Sequence, residues 1–276
     1  MPELPEVETY RRFIEEVAVG QIITHLDVRN AHVLAVPEDE LRTALVGCTI
    51  TGTSRLGKNC FLHLDSNRLL VLHFGMTGDI SAFREAPDAP RFTRVAWQLA
   101  DSGLQLAFID PRMFGRIRLA DSVEAYQKAK KLGPDALQIT AAELHQKLSR
   151  RSVFVKPLLL DQSLTAGLGN WIVDEVLFRA KLHPERAGKS LTEQETTALH
   201  AAIQLVLKTA IDHEANYRHF PATFLIHARE WDESATPGSD AHTYCPRHPK
   251  TKIEKFYVGG RATYICPRCQ EAPAAP

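Results

Sequence analysis

The sequence predicts an α+β protein of more than one domain, in which an N-terminal helix and an antiparallel β-sandwich precede a helical region and a metal-binding β-hairpin. Three observations predict this class. Short alternating runs of apolar and polar residues, separated by turn residues, fill much of the first half of the chain. Apolar residues at helical spacing dominate the second half, and three of the five cysteines lie within the last 32 residues.

Length and composition exclude several classes of protein. The 276 residues suffice for one large domain or two ordinary ones, which excludes a small disulfide-stapled scaffold. With 44% hydrophobic and 24% charged residues and no apolar run near eighteen residues, the chain is neither disordered nor membrane-spanning. The first residues lack the basic and apolar regions of a secretory signal, so we expect a cytoplasmic protein, associated with the nucleoid in a bacterium. We also expect a monomer without a membrane partner.

The N-terminal elements follow from spacing and turn residues. Residues 5 to 18 combine an early proline with apolar residues three and four apart, which predicts an amphipathic helix. Two β-hairpins are predicted next. The first joins Asn59 to Leu64 with Arg68 to Phe74, and the second joins Arg94 to Leu99 with Leu104 to Ile109. An antiparallel β-sandwich is the expected result.

A domain boundary is expected at the Gly133-Pro134 pair, because these residues interrupt regular structure and the apolar period then becomes helical. We therefore divide the chain into residues 1–133, 134–229 and 230–276. Within the last part, Glu230 to His242 is expected to be a loop. Helices are predicted at about 141–150, 154–160, 170–180 and 192–213.

The C-terminal segment combines a basic composition, which suits phosphate binding, with the residue spacing of a metal site. The formal net charge of the chain is zero, which argues against a protein that coats nucleic acid over its whole surface, but residues 244–270 contain six basic residues and one acidic residue. Two paired knuckles, Cys245-x2-His248 and Cys266-x2-Cys269, offer four ligands for one structural Zn²⁺. The alternatives are chance spacing of buried cysteines, or His242 in place of His248.

Two further features carry chemistry, each with a plain alternative. Gly167-x-Gly169 precedes a predicted helix that begins at Asn170, and such a turn can expose backbone N–H groups to a phosphate. The alternative is a glycine turn that only joins two helices. Removal of Met1 leaves Pro2 with a secondary amine, whose pKa near 8 leaves about a tenth of it neutral and nucleophilic at pH 7. Such an amine forms iminium ions with aldehydes, and the neighbouring Glu3 can exchange protons. The plain alternative for a Pro-Glu start is a helix cap.

Six ordered motifs together resemble the formamidopyrimidine-DNA glycosylases, the relatives of endonuclease VIII that excise oxidised bases. The resemblance runs from residue 1 to residue 270, with motifs in both halves of the chain. The motifs are Met1-Pro2-Glu3-Leu4-Pro5-Glu6-Val7-Glu8-Thr9, Gly57-Lys58, His73-Phe74-Gly75-Met76-Thr77-Gly78, Asp110-Pro111-Arg112-Met113-Phe114-Gly115, Gly167-Leu168-Gly169-Asn170, and Gly260-Arg261 with Cys266-Pro267-Arg268-Cys269-Gln270.

The resemblance implies a bifunctional enzyme that binds damaged duplex DNA through a helix-two-turn-helix domain and a zinc hairpin. Pro2 would attack C1′ of the damaged nucleotide, expel the base and hold the sugar as a Schiff base, with Glu3 moving protons and β,δ-elimination cutting the strand. Lys58 would contact the phosphate beside the lesion; a solvated surface lysine is its alternative. Met76, Arg112 and Phe114 would fill the gap left by the extruded base, and ordinary packing is the alternative for the two apolar side chains. Phosphate contacts are implied for His73, Lys156, Asn170 and Arg261.

The chain departs from the family pattern at several positions. His248 stands where the family usually has a cysteine, and the spacer to the next cysteine is one residue longer. Trp171-Ile172 and Ile226-His227-Ala228-Arg229 replace the usual motifs at those places. Most consequential, Asp212 to Thr223 is shorter than the loop that caps flipped 8-oxoguanine in typical bacterial members, and looks like the plant and fungal branch, which generally lacks these cysteines.

We therefore predict a DNA glycosylase and abasic-site lyase that excises formamidopyrimidines and oxidised purines. An enzyme like endonuclease VIII, preferring oxidised pyrimidines or hydantoins, is the first alternative. A non-catalytic protein that binds damaged DNA is the second, and a free Pro2 amine discriminates it from an enzyme. A zinc-ribbon protein that binds RNA or a protein partner would leave the N-terminal motifs unexplained.

Overall fold

The computed structural model describes residues 2–100, 102–229 and 244–273. The chain divides into two compact units between Lys131 and Leu132. Within the described ranges, we find no helix with the length and apolar character needed to span a lipid bilayer. The expected loop from Glu230 to His242 lies outside the described residues.

The first unit begins with the amphipathic helix that the spacing predicts. Helix α1 (Leu4–Ala18) has Glu3 as its N-cap, and Glu6 Oε2 accepts a hydrogen bond of 3.0 Å from the Glu3 backbone N–H. This reciprocal cap, with a proline in the first turn, fixes where the helix starts. On its apolar stripe Val7 and Ile14 are fully buried, and Tyr10 and Val17 are partly buried.

Two four-stranded antiparallel sheets follow, as predicted. The strands are β1 (Ile23–Val28), β2 (Ile50–Leu56), β3 (Asn59–Leu64), β4 (Leu69–His73), β5 (Asp79–Phe83), β6 (Thr93–Leu99), β7 (Gln105–Ile109) and β8 (Arg116–Ala120), with the short helices α2 (Glu38–Leu45) and α3 (Val123–Ala129). One sheet has the order β1-β6-β7-β5 and the other β2-β3-β4-β8. Side chains of both sheets and of α1 enter one hydrophobic core, which is what makes the pair a sandwich.

Both predicted hairpins are confirmed. Strands β3 and β4 pair with Cys60 opposite Leu72, and β6 and β7 pair with Ala96 opposite Ala107. The turn between β3 and β4 contains Asn67 in the left-handed region, at φ 62°, a conformation that asparagine tolerates better than most residues.

The second unit is helical, and its helices lie within about two residues of the predicted bounds. They are α4 (Ala141–Leu148), α5 (Val155–Leu160), α6 (Asn170–Ala180) and α7 (Glu193–Asp212). Two of them start at capping boxes in which a threonine and the glutamate three residues later bond reciprocally, Thr140 with Glu143 and Thr192 with Glu195.

A β-hairpin closes the described chain. Strands β9 (Glu254–Val258) and β10 (Arg261–Ile265) are joined by Gly259 and Gly260 at φ 57° and 74°, the left-handed pair that a two-residue type I′ turn requires. The three described cysteines of this region share an apolar cluster with Phe178, Leu225, Ala228 and Tyr264. The hairpin is therefore anchored on α6 and on the residues that follow Phe224.

Candidate functional site

Pro2 lines an open pocket of about 280 Å³ in the first unit, shared with Glu6, Tyr10, Thr77, Gly78 and Asp79. Glu3, beside it, is only 2% exposed and caps the positive end of α1. Burial and the nearby carboxylates of Asp79 and Glu6 raise the pKa of Tyr10, so its hydroxyl stays protonated and neutral. The predicted nucleophile therefore faces an accessible space lined by acids.

Lys58 lies in the two-residue turn between β2 and β3, after Gly57 at φ 59°. Such a turn, with glycine first, puts the second residue at the tip of a hairpin. In the sheet, Asn59 pairs with His73 and His73 pairs with Arg116, which brings the end of β4 next to this turn. Lys58 and His73 are thus brought together, as two phosphate contacts require.

His73 is a neutral hydrogen-bond donor at neutral pH. Burial, followed by the charges of Arg118, Lys58 and Arg116, lowers its pKa to about 4. Its Nδ1 lies 3.2 Å from the Gly75 backbone N–H and accepts from it. The proton of the neutral ring is therefore on Nε2, which can donate to an anionic oxygen among three cations.

The three predicted void-filling side chains are all exposed, and they lie on two neighbouring loops. Met76 is 40% and Phe114 49% exposed, and the Arg112 guanidinium lies 5.0 Å from the centre of the Phe114 ring. Exposed apolar side chains that lie together and are bordered by polar groups are typical of interaction sites. Their exposure favours the predicted role over ordinary packing.

Asp110 holds these two loops together. It is completely buried, and its carboxylate accepts from Thr77 Oγ1 at 2.8 Å, from the Gly115 N–H at 2.6 Å and from the Arg112 N–H at 3.2 Å. One charged group therefore fixes the loop of Met76 and the loop of Phe114.

Gly75 is required where the loops touch. A Cβ on Gly75 would lie 2.5 Å from the Phe114 carbonyl carbon, and its φ of 62° is left-handed. The backbones can approach this closely only with glycine at that position.

In the second unit, the start of α6 lies against the hairpin. Asn170 Nδ2 donates to the Ala262 carbonyl at 2.9 Å, next to the exposed Arg261 at the hairpin turn. Lys156 Nζ donates to the same carbonyl at 2.8 Å. Asn170 therefore lies beside the hairpin strand that begins at Arg261.

Lys156 itself contradicts the prediction of a direct phosphate contact. Its side chain is 0% exposed, and Nζ forms an ion pair of 2.7 Å with Asp174, which also binds Arg229 at 2.8 Å. A charge at this depth needs its buried partner. Lys156 therefore holds α5, α6 and the hairpin in place.

Cys245, His248, Cys266 and Cys269 form a cluster that can hold a metal ion, with all ligand atoms within 4.8 Å of one another. His248 Nδ1 lies 3.8, 3.7 and 3.3 Å from the three sulfurs, and the sulfurs of Cys245 and Cys269 are 3.9 Å apart. Tetrahedral Zn²⁺ requires about 3.6 Å between nitrogen and sulfur and about 3.8 Å between sulfurs. The predicted set, with His248 as the fourth member, therefore fits; the alternative His242 lies outside the described residues.

The thiols need a cation to become ligands. Burial and the neighbouring thiols raise the pKa of Cys269 to about 12, and burial also raises that of Cys245. A bound metal ion would stabilise the thiolates here, because a coordinating thiol loses its proton.

Residues 213–224, which follow α7, fold into short turns. Phe220 and Phe224 are buried, with ring centres 5.4 Å apart, and Phe220 lies 5.9 Å from Trp171 and 6.1 Å from His213. We call this group the aromatic cluster. Asp212 to Thr223, the segment that we predict to be short, runs from the last residue of α7 through these turns.

Sequence reasoning missed Asp110, Glu6 and Asp174. Asp110 belongs to a quoted motif without a role, and an acid inside an otherwise exposed basic loop was the available signal. Glu6 is three residues after Glu3, the spacing of a capping box. Asp174 has no local signal, since its partners lie far away in sequence.

Two family models match the chain. The N-terminal domain of formamidopyrimidine-DNA glycosylase matches residues 1–117, and the H2TH domain of the same enzyme matches residues 132–220. Curated formamidopyrimidine-DNA glycosylases from Arabidopsis thaliana and Latilactobacillus sakei are both 34% identical, over 98% of this chain and over 71% and 98% of the relatives. The one from Herpetosiphon aurantiacus is 36% identical over 98% of this chain and its own full length.

Solved structures of the Lactococcus lactis enzyme are also similar. Its complex with DNA containing an abasic site has a TM-score of 0.83 at 33% identity, and its complex with THF-DNA and an inhibitor has a TM-score of 0.84 at 34% identity. Each match covers 98% of this chain and 100% of the other.

Proposed function

Because the chain belongs to the formamidopyrimidine-DNA glycosylase family, we propose that it excises oxidised bases from duplex DNA and then cleaves the strand, with Pro2 as the nucleophile. The glycosylase reaction belongs to base excision repair. The observation that carries the assignment of Pro2 is its position in an open pocket beside the buried Glu3.

The reaction needs a free amine, so Met1 has to be removed first. The neutral Pro2 nitrogen attacks C1′, the bond from C1′ to the base breaks, and the base leaves with a proton. Glu3 supplies and removes protons from its position at the helix start. The C1′–O4′ bond then breaks, O4′ takes up a proton, and the opened sugar is held as an iminium on Pro2. Loss of a C2′ proton with the 3′ phosphate, and then of the C4′ proton with the 5′ phosphate, cuts the strand by β,δ-elimination.

Extrusion of the base needs compensation, because it costs a few kcal/mol of stacking and pairing. We assign this to Met76, Arg112 and Phe114. The support is that Thr77, which lines the Pro2 pocket, also binds the buried carboxylate of Asp110. The nucleophile and the void-filling loops thus share one framework within the first unit.

Phosphate binding is divided between the two units. Lys58 and the Nε2–H of His73 offer donors in the first, while Arg261 and the start of α6 at Asn170 offer them in the second. Each charged contact with a phosphate should add about one to the salt slope of binding.

Zn²⁺ suits the metal cluster better than other ions, because three sulfurs and one imidazole at tetrahedral spacing leave no position for water. When bound, zinc supplies structure only. Its four ligands join the two knuckles and so hold the hairpin that carries Arg261. We further propose that the enzyme acts as a monomer in the cytoplasm or on the nucleoid.

The compact 213–224 segment suggests which bases are excised. A long capping loop would supply many hydrogen-bonding groups to the edge of 8-oxoguanine, whereas a segment held in tight turns supplies few. We therefore propose formamidopyrimidines and non-planar hydantoins as better substrates than 8-oxoguanine. Oxidised pyrimidines, the substrates of the first alternative, are compatible with the same open pocket.

Trapping the Schiff base tests the assignment of the nucleophile. Incubation with a lesion-containing duplex and borohydride should yield a covalent adduct whose peptide begins at Pro2. Pro2→Gly should greatly reduce the yield, and Lys58→Met should weaken binding yet leave the adduct on Pro2. An adduct on Lys58 would contradict the proposal.

A further inference from the structure

The turn that carries Lys58 is closed by a buried amide. Asn59, the next residue, is 6% exposed, and its Nδ2 donates to the Leu56 carbonyl at 3.3 Å. The Tyr126 hydroxyl donates to Asn59 Oδ1 at 3.0 Å. Because a carbonyl can only accept, the amide nitrogen has to face Leu56 and the amide oxygen has to face Tyr126. Both polar atoms of the Asn59 side chain are therefore held in one orientation.

Tyr126 belongs to α3 and packs on the sheet β2-β3-β4-β8 from outside. Along β3, Cys60 and Leu62 enter the core that the two sheets share. Asn59 and Phe61 alternate with them and lie on the opposite face of the sheet. There the Phe61 ring meets the Tyr126 ring edge to face, with ring centres 5.4 Å apart. This ring packing places the Tyr126 hydroxyl beside the start of β3.

The hydrogen bond between Tyr126 and Asn59 directs the turn rather than only filling space. Burial raises the pKa of Tyr126, although the nearby charge of Arg118 opposes the shift, so the hydroxyl is protonated and donates. An amide at this depth is costly unless both of its polar atoms are bonded. An apolar side chain would need no such partner. What the amide and the hydroxyl add is a fixed direction for the chain at this end of β3.

The residue before Lys58 is held from the other side. The Gly57 carbonyl accepts from Arg55 Nη1 at 2.9 Å. The Arg55 side chain is only 7% exposed, and its Nε lies 3.2 Å from Oε2 of Glu8 on α1. The backbone direction of Lys58 is thus set on one side through α1 and on the other through Tyr126.

We propose that Tyr126, acting through Asn59, is a positioning residue that orients Lys58 toward a DNA phosphate. The inference rests on the proposed function, in which Lys58 contacts that phosphate. A lysine carries its charge on a flexible stem, so the direction of the backbone decides how often the ammonium reaches its partner. Every residue involved lies in the first unit.

The test measures binding to a duplex with a tetrahydrofuran analogue of an abasic site, which has no base to extrude and cannot form the iminium. Tyr126→Phe keeps the ring packing on Phe61 and removes only the hydroxyl. Its affinity should be about fivefold weaker, equivalent to about 1 kcal/mol. Its salt slope should fall toward that of Lys58→Met, which loses about one. A loss of stability alone would lower the active fraction of the protein and leave the slope unchanged.

A double-mutant cycle tests whether Tyr126 acts through Lys58. In the Lys58→Met protein, adding Tyr126→Phe should weaken binding by less than about twofold, because the cation that Tyr126 orients is gone. The same fivefold loss in both backgrounds would show that Tyr126 acts independently of Lys58, and would overturn the proposal.

Two further variants separate positioning from stability. Asn59→Leu combined with Tyr126→Phe replaces both partners by apolar side chains of similar shape, so no buried polar group is left unpaired. This protein should be stable and still show the weaker binding and the lower slope. Ser122→Ala is the matched control, because it removes the side-chain oxygen that caps α3 at 3.0 Å from the Ala125 N–H but leaves the Tyr126 hydroxyl. Its affinity and slope should equal those of the wild-type protein.

The outcomes separate this inference from the proposed function. If Lys58→Met weakens binding and Tyr126→Phe changes neither affinity nor slope, the positioning role alone is overturned. An equal loss in Ser122→Ala would assign the effect to the stability of α3 and also overturn it. Unchanged binding in Lys58→Met would instead contradict the phosphate contact in the proposed function, and the inference with it.

Discussion

Asp110→Asn should separate base extrusion from strand cleavage. The carboxylate accepts three hydrogen bonds, two at Oδ1 and one of 2.6 Å at Oδ2 from the Gly115 N–H. If the amide oxygen of asparagine takes the Oδ1 position, its N–H₂ group faces the Gly115 N–H, and that bond is lost. A hydrogen bond to a charged group contributes about 1.5 to 3 kcal/mol. Weakening of the two remaining bonds brings the expected loss to about 3 kcal/mol.

That loss should be visible in both stability and catalysis. Melting of the first unit should fall by on the order of 10 °C, given a few degrees per kcal/mol for a unit of this size. Excision of a paired lesion should slow by on the order of a hundredfold, because the loop of Arg112 and Phe114 is no longer held against that of Met76. Cleavage of a preformed abasic site should slow much less, since no base has to leave the stack.

Differential scanning calorimetry and single-turnover gels measure these two effects. Asp88→Asn removes the same charge from an exposed position of the same unit and serves as the control. A stable Asp110→Asn protein with unimpaired excision would refute the assignment of the void-filling loops. An equal loss on both substrates would show that Asp110 acts on the whole site rather than on extrusion.

Four other expectations can be checked independently. Because the pKa of His73 is lowered to about 4, its contribution to stability is present above pH 6.5 and is lost as the pH falls through about 4. In urea unfolding, the free energy of unfolding of His73→Asn should therefore fall by about 2 to 3 kcal/mol less than that of the wild-type protein over this pH range. Equal losses in the two proteins would contradict this expectation. Atomic absorption should find one zinc per wild-type chain and none in Cys269→Ser, which should also bind DNA more weakly. A full zinc content in the variant would exclude the cluster as the metal site. Arg261→Ala should keep the zinc but lower the salt slope by about one, and an unchanged slope would refute a phosphate contact. Phe114→Ala should slow excision of a paired lesion more than of a mismatched one, because the mismatch is easier to extrude; equal slowing would argue against a stacking role.

The elements were predictable from sequence where local signals agree. Both hairpins follow turn residues between alternating runs, and α7 begins at Thr192 with Glu195 three residues later. The metal cluster was equally visible, since knuckle spacing is itself local. In each case the partners lie within a short stretch of chain.

Side chains with distant partners could not be placed in this way. Lys156 looked like a phosphate contact, yet its ammonium binds Asp174, 18 residues away, and the Ala262 carbonyl, 106 residues away. The sequence offers no sign of such a pairing, because nothing near Lys156 differs from an exposed lysine at a helix start. The role of Pro2 was recognisable only through the ordered motifs, since a Pro-Glu start by itself predicts a cap.

The histidine in the metal cluster has consequences for charge and for oxidation. A zinc ion bound by three thiolates and the neutral imidazole of His248 would carry a formal charge of −1, one unit less negative than a site with four thiolates. Beside a hairpin that we propose to bind phosphates, the smaller negative charge of the site would repel DNA less. Imidazole also lacks the sulfur that peroxide converts to sulfenic acid, so one of four ligands is resistant to that attack. The metal cluster of this repair protein thus offers three oxidisable ligands where four thiolates would offer four.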